Sequence, residues 1–232
     1  MTPTTSITDR AAPGDSPAAA NRQAAPVPVV CVGFSAGGLH PLRAIFRRIR
    51  TDTGMAFVIV PHISRTLPTR LPWLISRWTQ MPAELAQTGL ALEPNHIYVI
   101  PPGQEITVQD GSFGVRPRSK ASGWSNVITL FLDSLVRFRR PPGIAVILSG
   151  FDSDGAAALR AFHRQGGVTI VQDLKSADFQ DMPRSAIATG VVDYILPPEE
   201  IVDKLEAIAG DYSAETNDPS LAGACAGNRG RE

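Results

Sequence analysis

Short apolar runs alternate along this chain with segments whose apolar residues recur at helical spacing. The first run, Val27 to Gly33, is continuous and Val-rich, as in a strand that is buried on both faces. The next segment has a helical stripe with i, i+3, i+4, i+7 spacing, formed by Leu42, Ile45, Phe46 and Ile49. Strand-helix units predict parallel strands, because parallel neighbours need a crossover connection. We therefore expect a three-layer α/β fold, with a doubly wound, mainly parallel sheet and helices on both faces.

The alternation continues along the chain with one interruption. The further predicted strands are 56–60, 144–148, 168–171 and 192–196, and the further predicted helices are 67–78, 130–138, 156–164, 184–189 and 198–208. The interruption consists of two strand-like segments, 96–100 and 106–115. The second contains Asp110-Gly111, a pair that favours a tight hairpin turn. We expect an antiparallel hairpin excursion from the sheet there.

Three regions of different composition divide the chain. Residues 1–26 are rich in Thr, Ala, Pro and Ser and have almost no large apolar side chains, so they cannot bury enough surface to offset the entropy cost of ordering. We predict a disordered N-terminal tail there. Small and polar residues also dominate residues 211–232, which predicts a flexible C-terminal tail. Residues 27–210 are then a single folded domain.

Charge and cysteine usage exclude several classes of protein. The 22 Lys and Arg residues balance 22 Asp and Glu residues, which leaves no long-range field to attract nucleic acid or an anionic membrane. No apolar stretch approaches the roughly 18 residues that span a bilayer, so we expect no membrane insertion. The two cysteines, Cys31 and Cys225, have neither disulfide nor metal-ligand spacing, which predicts a cytoplasmic protein.

The turn after the first predicted strand contains a candidate nucleophile, Ser35. In Gly33-Phe34-Ser35-Ala36-Gly37, the serine lies between a strand and a helix, with Gly two residues before and two residues after it. This is the spacing of a nucleophile elbow, in which small flanking residues allow a sharp turn that exposes the hydroxyl. The Ala36 N–H, close to the start of the helix, could stabilise an oxyanion. The alternative is a Gly-rich turn that binds phosphate or only reverses the chain, although the Lys of a phosphate-binding loop is absent.

His62 is the candidate base. It comes directly after the predicted strand 56–60, with Pro61 between the strand and the histidine. Because the carboxyl ends of neighbouring parallel strands lie at one edge of a sheet, His62 and Ser35 would emerge together. The other histidines lie on predicted helices or at the start of a predicted strand, where packing or exposure to solvent explains them. They are His40, His96 and His163.

Asp154 is the candidate acid, because it follows the predicted strand 144–148 and precedes a helix. A carboxylate at that edge could fix the imidazole tautomer and stabilise the imidazolium. Two alternatives stay open: Asp154 as a helix cap, and Asp152 with Asp154 as a metal site, for which no further carboxylates are evident. The chain order Ser, His, Asp differs from the Ser, Asp, His order of α/β-hydrolases, which predicts a different topology.

Five motifs occur along the chain in a characteristic order. They are Val32–Gly38, Pro61-His62, Pro94–Gly103, Leu148–Gly155 and Met182–Ala186. Together they resemble the catalytic domain of the CheB family, the chemotaxis receptor methylesterases, over nearly all of residues 27–208. The resemblance implies a serine hydrolase that removes methyl esters from glutamate side chains of chemoreceptors or similar helical signalling proteins. It also implies release of methanol, frequent deamidation of receptor glutamines, and no cofactor.

The resemblance assigns roles to residues of the domain at 27–210. It implies that Ser35, His62 and Asp154 form a catalytic triad, and that the backbone N–H of Phe151 serves the oxyanion site together with that of Ala36. Typical members also carry an N-terminal receiver domain, for which residues 1–26 are too short. We therefore expect no regulation by phosphorylation within this chain.

This chain departs from the family at two places near the site, and the second of them, Phe151-Asp152, motivates another hypothesis. Gln is usual where this chain has Pro61, and Met or Thr followed by Gly is usual where it has Phe151-Asp152. A bulkier side chain and an added carboxylate near the site could weaken catalysis or change substrate choice. The alternative function is a non-catalytic module that retains the fold and binds a receptor tail or a signalling partner.

Overall fold

The computed structural model describes residues 27–62, 69–118, 126–137 and 143–217. In chain order the elements are β1 (Val29–Phe34), α1 (Leu39–Arg48), β2 (Ala56–Pro61), α2 (Leu71–Ile75), β3 (Ala83–Leu85), β4 (His96–Val99), β5 (Gln104–Gln109), β6 (Ser112–Pro117), α3 (Val127–Arg137), β7 (Ile144–Ile147), α4 (Ala156–Arg164), β8 (Val168–Gln172), α5 (Asp181–Ile187), β9 (Tyr194–Leu196) and α6 (Pro198–Asn217). Strands and helices alternate except between α2 and α3, where β3 to β6 follow one another.

The central sheet places β1 in its middle. Within the described ranges, seven strands pair in the order β3-β4-β2-β1-β7-β8-β9, and every pairing in that sheet is parallel. Gly33 of β1 lies opposite Val60 of β2 on one side and opposite Ile147 of β7 on the other. The chain winds first toward β4 and then, from β7 onward, in the opposite direction. Open α/β sheets bind ligands where the winding reverses, outside the carboxyl ends of the strands.

Helices cover both faces of this sheet. Successive residues of β1 point to opposite sides: Cys31 belongs to a core shared with α3, α4, α5 and the hairpin, whereas Val32 belongs to a core shared with α1, α2 and α6. All six residues of β1 are buried, which explains why the strand is continuously apolar instead of alternating. The three-layer, doubly wound α/β fold is therefore confirmed.

Strands β5 and β6 form a separate antiparallel hairpin. Asp110 (φ 50°) and Gly111 (φ 80°) at its two-residue turn both have the positive φ that a type I′ turn requires. Val108 and Phe113 pack into the core beside α3, and the Ser134 hydroxyl of α3 accepts the Val108 N–H at 3.1 Å. The predicted hairpin excursion is confirmed, and it covers one face of α3.

Some element bounds differ from the predicted ones. Among the residues described in the segment predicted as a helix over 67–78, only Leu71–Ile75 are α-helical. The last helix continues to Asn217, past the predicted end at Ile208 and the predicted domain boundary at 210. Ala209 is still packed in the core, so the buried face of this helix extends beyond Ile208.

The predicted N-terminal tail, residues 1–26, and residues 218–232 of the predicted C-terminal tail lie outside the described residues. In the ranges that are described, no helix combines the length and the apolar character that crossing a membrane requires.

Candidate active site

Three loops that carry the predicted catalytic residues lie side by side at the carboxyl edge of the sheet. Ser35 directly follows β1, His62 directly follows β2, and the segment Ser149 to Gly155 follows β7. Because β1 pairs with both β2 and β7, the three loops are neighbours despite their separation in sequence. The topology therefore brings Ser35, His62 and Asp154 to one rim of the sheet.

The turn that carries Ser35 depends on glycine and on a main-chain hydrogen bond. The Ser35 N–H donates to the Ser149 carbonyl at 3.0 Å. Gly37 has φ +75°, and a Cβ there would lie 2.6 Å from the Ser149 Oγ, so glycine suits both the backbone conformation and the space. A Cβ on Gly33 would lie 2.8 Å from the Ile128 side chain. Helix α3 therefore packs directly against the strand that presents the serine.

Ser149 ties this turn to the surrounding loops. The residue is fully buried. Its hydroxyl donates to the Ala36 carbonyl at 2.9 Å and accepts the Phe179 N–H at 3.0 Å. Its own N–H donates to the Gln172 Oε1 at 2.9 Å. Segments that are distant in sequence are thereby bound together beneath the nucleophile.

Ser35 and His62 are hydrogen-bonded to each other through the main chain of His62. The Ser35 hydroxyl donates to the His62 carbonyl oxygen at 3.1 Å, and the His62 N–H donates to the Phe34 carbonyl at 2.7 Å. A hydroxyl has a single proton, so in this structure the proton that a base would remove is directed to the carbonyl. Rotation about the Cα–Cβ bond of Ser35 is the movement that redirects it. Catalytic hydrogen bonds commonly form fully only when substrate is bound.

The imidazole of His62 lies against Asp152. Its Nδ1 is 2.7 Å from the Asp152 Oδ2, and the two side chains are 13% and 27% exposed. The other carboxylate oxygen of Asp152, Oδ1, accepts the N–H of Asp154 at 2.7 Å. Asp152 has φ 74°, a left-handed conformation that Asp adopts more readily than most other non-Gly residues. The loop thus directs one carboxylate oxygen to the ring and binds the other to its own backbone.

Asp154 binds the N-terminus of α3. Its carboxylate accepts the N–H of Ile128 at 2.9 Å, and the N–H and the hydroxyl of Thr129 at 3.0 and 2.9 Å. Burial raises the pKa of the Asp154 carboxyl. The hydrogen bonds and the charge of His62 lower this pKa, but their effect is smaller than that of burial, so the pKa stays above its ordinary value. The sequence left open that Asp154 caps a helix, and the helix expected there was α4, which follows Asp154 in the chain. The structure shows Asp154 at the N-terminus of α3 instead.

The predicted oxyanion donors lie next to the nucleophile. Among the described residues, the N–H groups of Ala36 and Phe151 have no hydrogen-bond acceptor. Ala36 directly follows Ser35. A Cβ on Gly150, the residue before Phe151, would lie 2.8 Å from the Ser35 Cβ. The role of these two N–H groups in binding an oxygen atom of a substrate stays a prediction.

A pocket of about 770 Å³ opens beside Ser35. Ser35 forms part of its wall together with the residues that follow it, and much of the remaining lining is apolar among the residues that the structure describes. Trp73 and Leu39, two of the lining residues, are 64% and 48% exposed. Large apolar groups exposed around a polar centre are typical of a binding site.

A metal ion and a cysteine nucleophile are the two alternatives to a serine nucleophile at this site. In the described ranges, no three His, Cys, Asp or Glu residues are grouped so that they could hold a metal ion. The buried thiol of Cys31 has a pKa raised first by burial and then by the charge of Asp154, so it stays protonated and is a poor nucleophile. Ser35 therefore stays the candidate nucleophile.

Known proteins resemble this chain in sequence and in fold. The sequence model of the CheB methylesterase family matches residues 30–205. This chain belongs to the CheB methylesterase family. The solved catalytic domain of the Thermotoga maritima CheB methylesterase resembles it with a TM-score of 0.72 at 25% sequence identity, covering 78% of this chain and 98% of that domain. The family resemblance inferred from the five motifs is confirmed.

Curated members of the family carry a double name. A Rhizobium meliloti protein, the protein-glutamate methylesterase/protein-glutamine glutaminase of group 3 operon, is 31% identical over 202 residues, covering 87% of this chain and 56% of that protein. The protein-glutamate methylesterase/protein-glutamine glutaminase 4 of Burkholderia thailandensis is 30% identical over 196 residues, covering 82% of this chain and 57% of that protein. The chain thus spans a little over half the length of these relatives.

Some polar contacts of the site have little or no signal in the sequence. Neither Thr129, which binds Asp154, nor Ser149, which ties the loops together, stands out by spacing or composition. Asp152 does stand out, as half of an Asp-x-Asp pair after a strand. Its contact with His62 depends on the left-handed backbone at residue 152, which the sequence pattern does not specify.

Proposed function

We propose that this chain hydrolyses γ-methyl esters of glutamate side chains in chemoreceptors or similar helical signalling proteins. The observation that carries the proposal is the meeting of Ser35, His62 and the carboxylates of the loop after β7 at one rim of the sheet. Membership of the CheB methylesterase family and the names of the relatives support the same reaction class.

Ser35 is the nucleophile of the proposed first half-reaction, and His62 is its general base. Once the hydroxyl has turned to the ring, His62 removes its proton while the Ser35 Oγ attacks the ester carbonyl carbon. The imidazolium then gives the proton to the departing oxygen, the ester C–O bond breaks, and methanol leaves. The glutamyl group remains as an acyl ester on Ser35.

The charges that develop in this step have proposed partners in the site. Negative charge on the tetrahedral oxygen would be stabilised by the N–H groups of Ala36 and Phe151, and a donor in such a position is worth about 10²–10³ in kcat. The positive charge of the imidazolium would be balanced by the loop after β7, in which the family resemblance gives the part of the triad acid to Asp154, whose carboxyl pKa is lowered by the charge of His62.

Water completes the proposed cycle. With His62 again as base, a water molecule attacks the acyl ester, the Ser35 oxygen leaves with a proton, and glutamate is released. Glutamine deamidation would follow the same steps with ammonia as the leaving group, in agreement with the second half of the relatives' names. The mechanism requires no cofactor.

The proposed partner is a helical receptor segment that presents the ester to the pocket beside Ser35. Its largely apolar lining suits the methyl ester and the methylene groups of the glutamyl side chain. The proposed setting is the cytoplasm, as the cysteine usage predicts.

Methanol release from methylated receptor fragments tests this proposal. We expect repeated turnover by the wild-type protein and no release above background by Ser35→Ala, because that change removes the attacking oxygen. Thermal unfolding of the variant checks that it is folded. Folded wild-type protein that binds the fragment but releases no methanol would favour the non-catalytic binding module instead.

A further inference from the structure

Asp152 occupies the place next to His62 that the sequence assigns to Asp154. The Asp152 Oδ2 lies 2.7 Å from the His62 Nδ1. The Asp154 carboxylate accepts three hydrogen bonds from the first turn of α3. We propose that Asp152 is the positioning residue of the His62 base, holding the proton on Nδ1, and that the Asp154 carboxylate acts mainly by binding α3. The inference rests on the proposed function, since it concerns the base of that reaction.

The local backbone explains how Asp152 can hold the ring in place. Residue 152 has φ 74°, and its Oδ1 accepts the Asp154 N–H at 2.7 Å. A side-chain oxygen that accepts the N–H two residues later forms an Asx turn, which restricts the side-chain torsions. With Oδ1 fixed in this way, Oδ2 has a defined direction, and that direction leads to His62.

The chemistry of a carboxylate then determines the tautomer of the ring. An ionised carboxylate only accepts hydrogen bonds, so a neutral imidazole beside it carries its proton on Nδ1. In that tautomer Nε2 carries no proton, so it is the ring atom that can receive the proton of Ser35. When that proton is transferred, the imidazolium that forms is paired with the negative charge of Asp152 and later returns the proton to the leaving oxygen.

Asp154 contributes to this arrangement through its main chain. The donor to Asp152 Oδ1 is the backbone N–H of residue 154, which any non-proline substitution retains. The side chain of Asp154 belongs instead to the contact between this loop and α3. The two carboxylates can therefore be tested separately.

Asp152→Asn tests the proposal most sharply. In this variant the amide oxygen would remain on the Asp154 N–H, which needs an acceptor, and the NH₂ group would face Nδ1. That forces the ring proton onto Nε2, where it blocks proton transfer from Ser35. We expect kcat for methyl-ester hydrolysis to fall by about 10²–10⁴-fold, with KM changed less than about threefold. Nitrogen NMR of the labelled imidazole should show His62 protonated on Nδ1 in the wild type and on Nε2 in the variant.

Two further variants separate positioning from stability. Asp193→Asn changes a comparable carboxylate away from the site, whose Oδ2 lies 3.4 Å from the His163 Nδ1 and accepts the Thr169 N–H at 2.8 Å. It should leave kcat within about twofold of wild type and the His62 tautomer unchanged. Asp154→Ala, measured below its melting temperature, should reduce kcat by a smaller factor than Asp152→Asn and keep the His62 proton on Nδ1.

The opposite pattern would overturn the proposal: Asp152→Asn retaining kcat within about threefold and an Nδ1–H ring, while Asp154→Ala abolishes turnover. Failure of the proposed function gives a different result, because wild-type protein would then release no methanol. The NMR measurement needs no turnover, so it still decides whether Asp152 sets the tautomer of His62.

Discussion

At the scale of single residues, Gly150 shows how little space separates the nucleophile from the proposed oxyanion loop. An added Cβ there would lie 2.8 Å from the Ser35 Cβ and would also collide with Met182. The Gly150 N–H donates to the Phe179 carbonyl at 3.0 Å, and its carbonyl accepts the Met182 N–H at 3.0 Å. The loop is thus held from both sides and can accommodate a side chain only by moving away from Ser35.

Gly150→Ala should therefore impair the proposed catalysis more than it impairs folding. We expect kcat to fall by about 10²–10³-fold, because the Phe151 N–H moves with the loop, and the free energy of unfolding to fall by about 1–3 kcal/mol. Methanol-release kinetics and chemical denaturation measure the two effects.

Gly210→Ala is the matched control, since a Cβ at this position in α6 meets no atom within 4 Å. It should keep full activity and raise stability by about 0.5–1 kcal/mol, because alanine favours a helix over glycine. Unchanged kcat in Gly150→Ala would contradict the proposed position of the oxyanion donor.

Among the elements, α3 is joined through its first turn to the loop after β7. The N–H groups at a helix N-terminus lack partners within the helix, and here Asp154 accepts those of Ile128 and Thr129. A negative charge at this end of a helix is also favoured by the helix dipole. Because Ile128 packs against Gly33 of β1, the same contact supports the strand that leads to Ser35.

Asp154→Ala should lower the free energy of unfolding by about 1–3 kcal/mol, because the buried N–H of Ile128 and the partly buried N–H of Thr129 lose their acceptor. The native-state pKa of Asp154 is raised above its ordinary 3.8, so the folded protein holds this proton more tightly than the unfolded chain. The free energy of unfolding of wild type therefore exceeds that of the variant by the full amount at pH values below the pKa of Asp154 in the unfolded chain. This difference declines as the pH rises through the pKa of Asp154 in the folded protein. Denaturation curves over an acidic-to-neutral pH series test this.

Asp133→Ala, further along the same helix, should change stability by less than about 0.5 kcal/mol. An Asp154→Ala variant as stable as wild type at every pH would contradict the role of Asp154 at the start of α3.

At the scale of the whole molecule, sheet topology assembles the candidate site. Ser35 and His62 are brought together because β1 and β2 are parallel neighbours, and the loop from Ser149 joins them because β7 pairs with the other side of β1. The winding reverses between β2 and β7, which leaves a crevice above β1 in folds of this kind. Substitutions that preserve this pairing should preserve the meeting of the three loops.

The sequence could predict which residues reach that rim but not how they contact one another. Apolar periodicity identifies β1, β2 and β7, and a parallel sheet then places Ser35, His62 and Asp154 at one edge. The partner of His62 depends on the backbone torsion at Asp152 and on how closely α3 approaches Asp154. Both are set by tertiary packing, which local patterns do not encode.

Treatment of the folded protein with a serine-directed phosphonate, followed by mass spectrometry to locate the adduct, tests whether Ser35 is an activated nucleophile. We expect one adduct per wild-type chain, on the peptide that contains Ser35, and none in Ser35→Ala. Ser35 would not be the nucleophile if folded wild-type protein formed no adduct, or if both proteins formed one to the same extent at another residue.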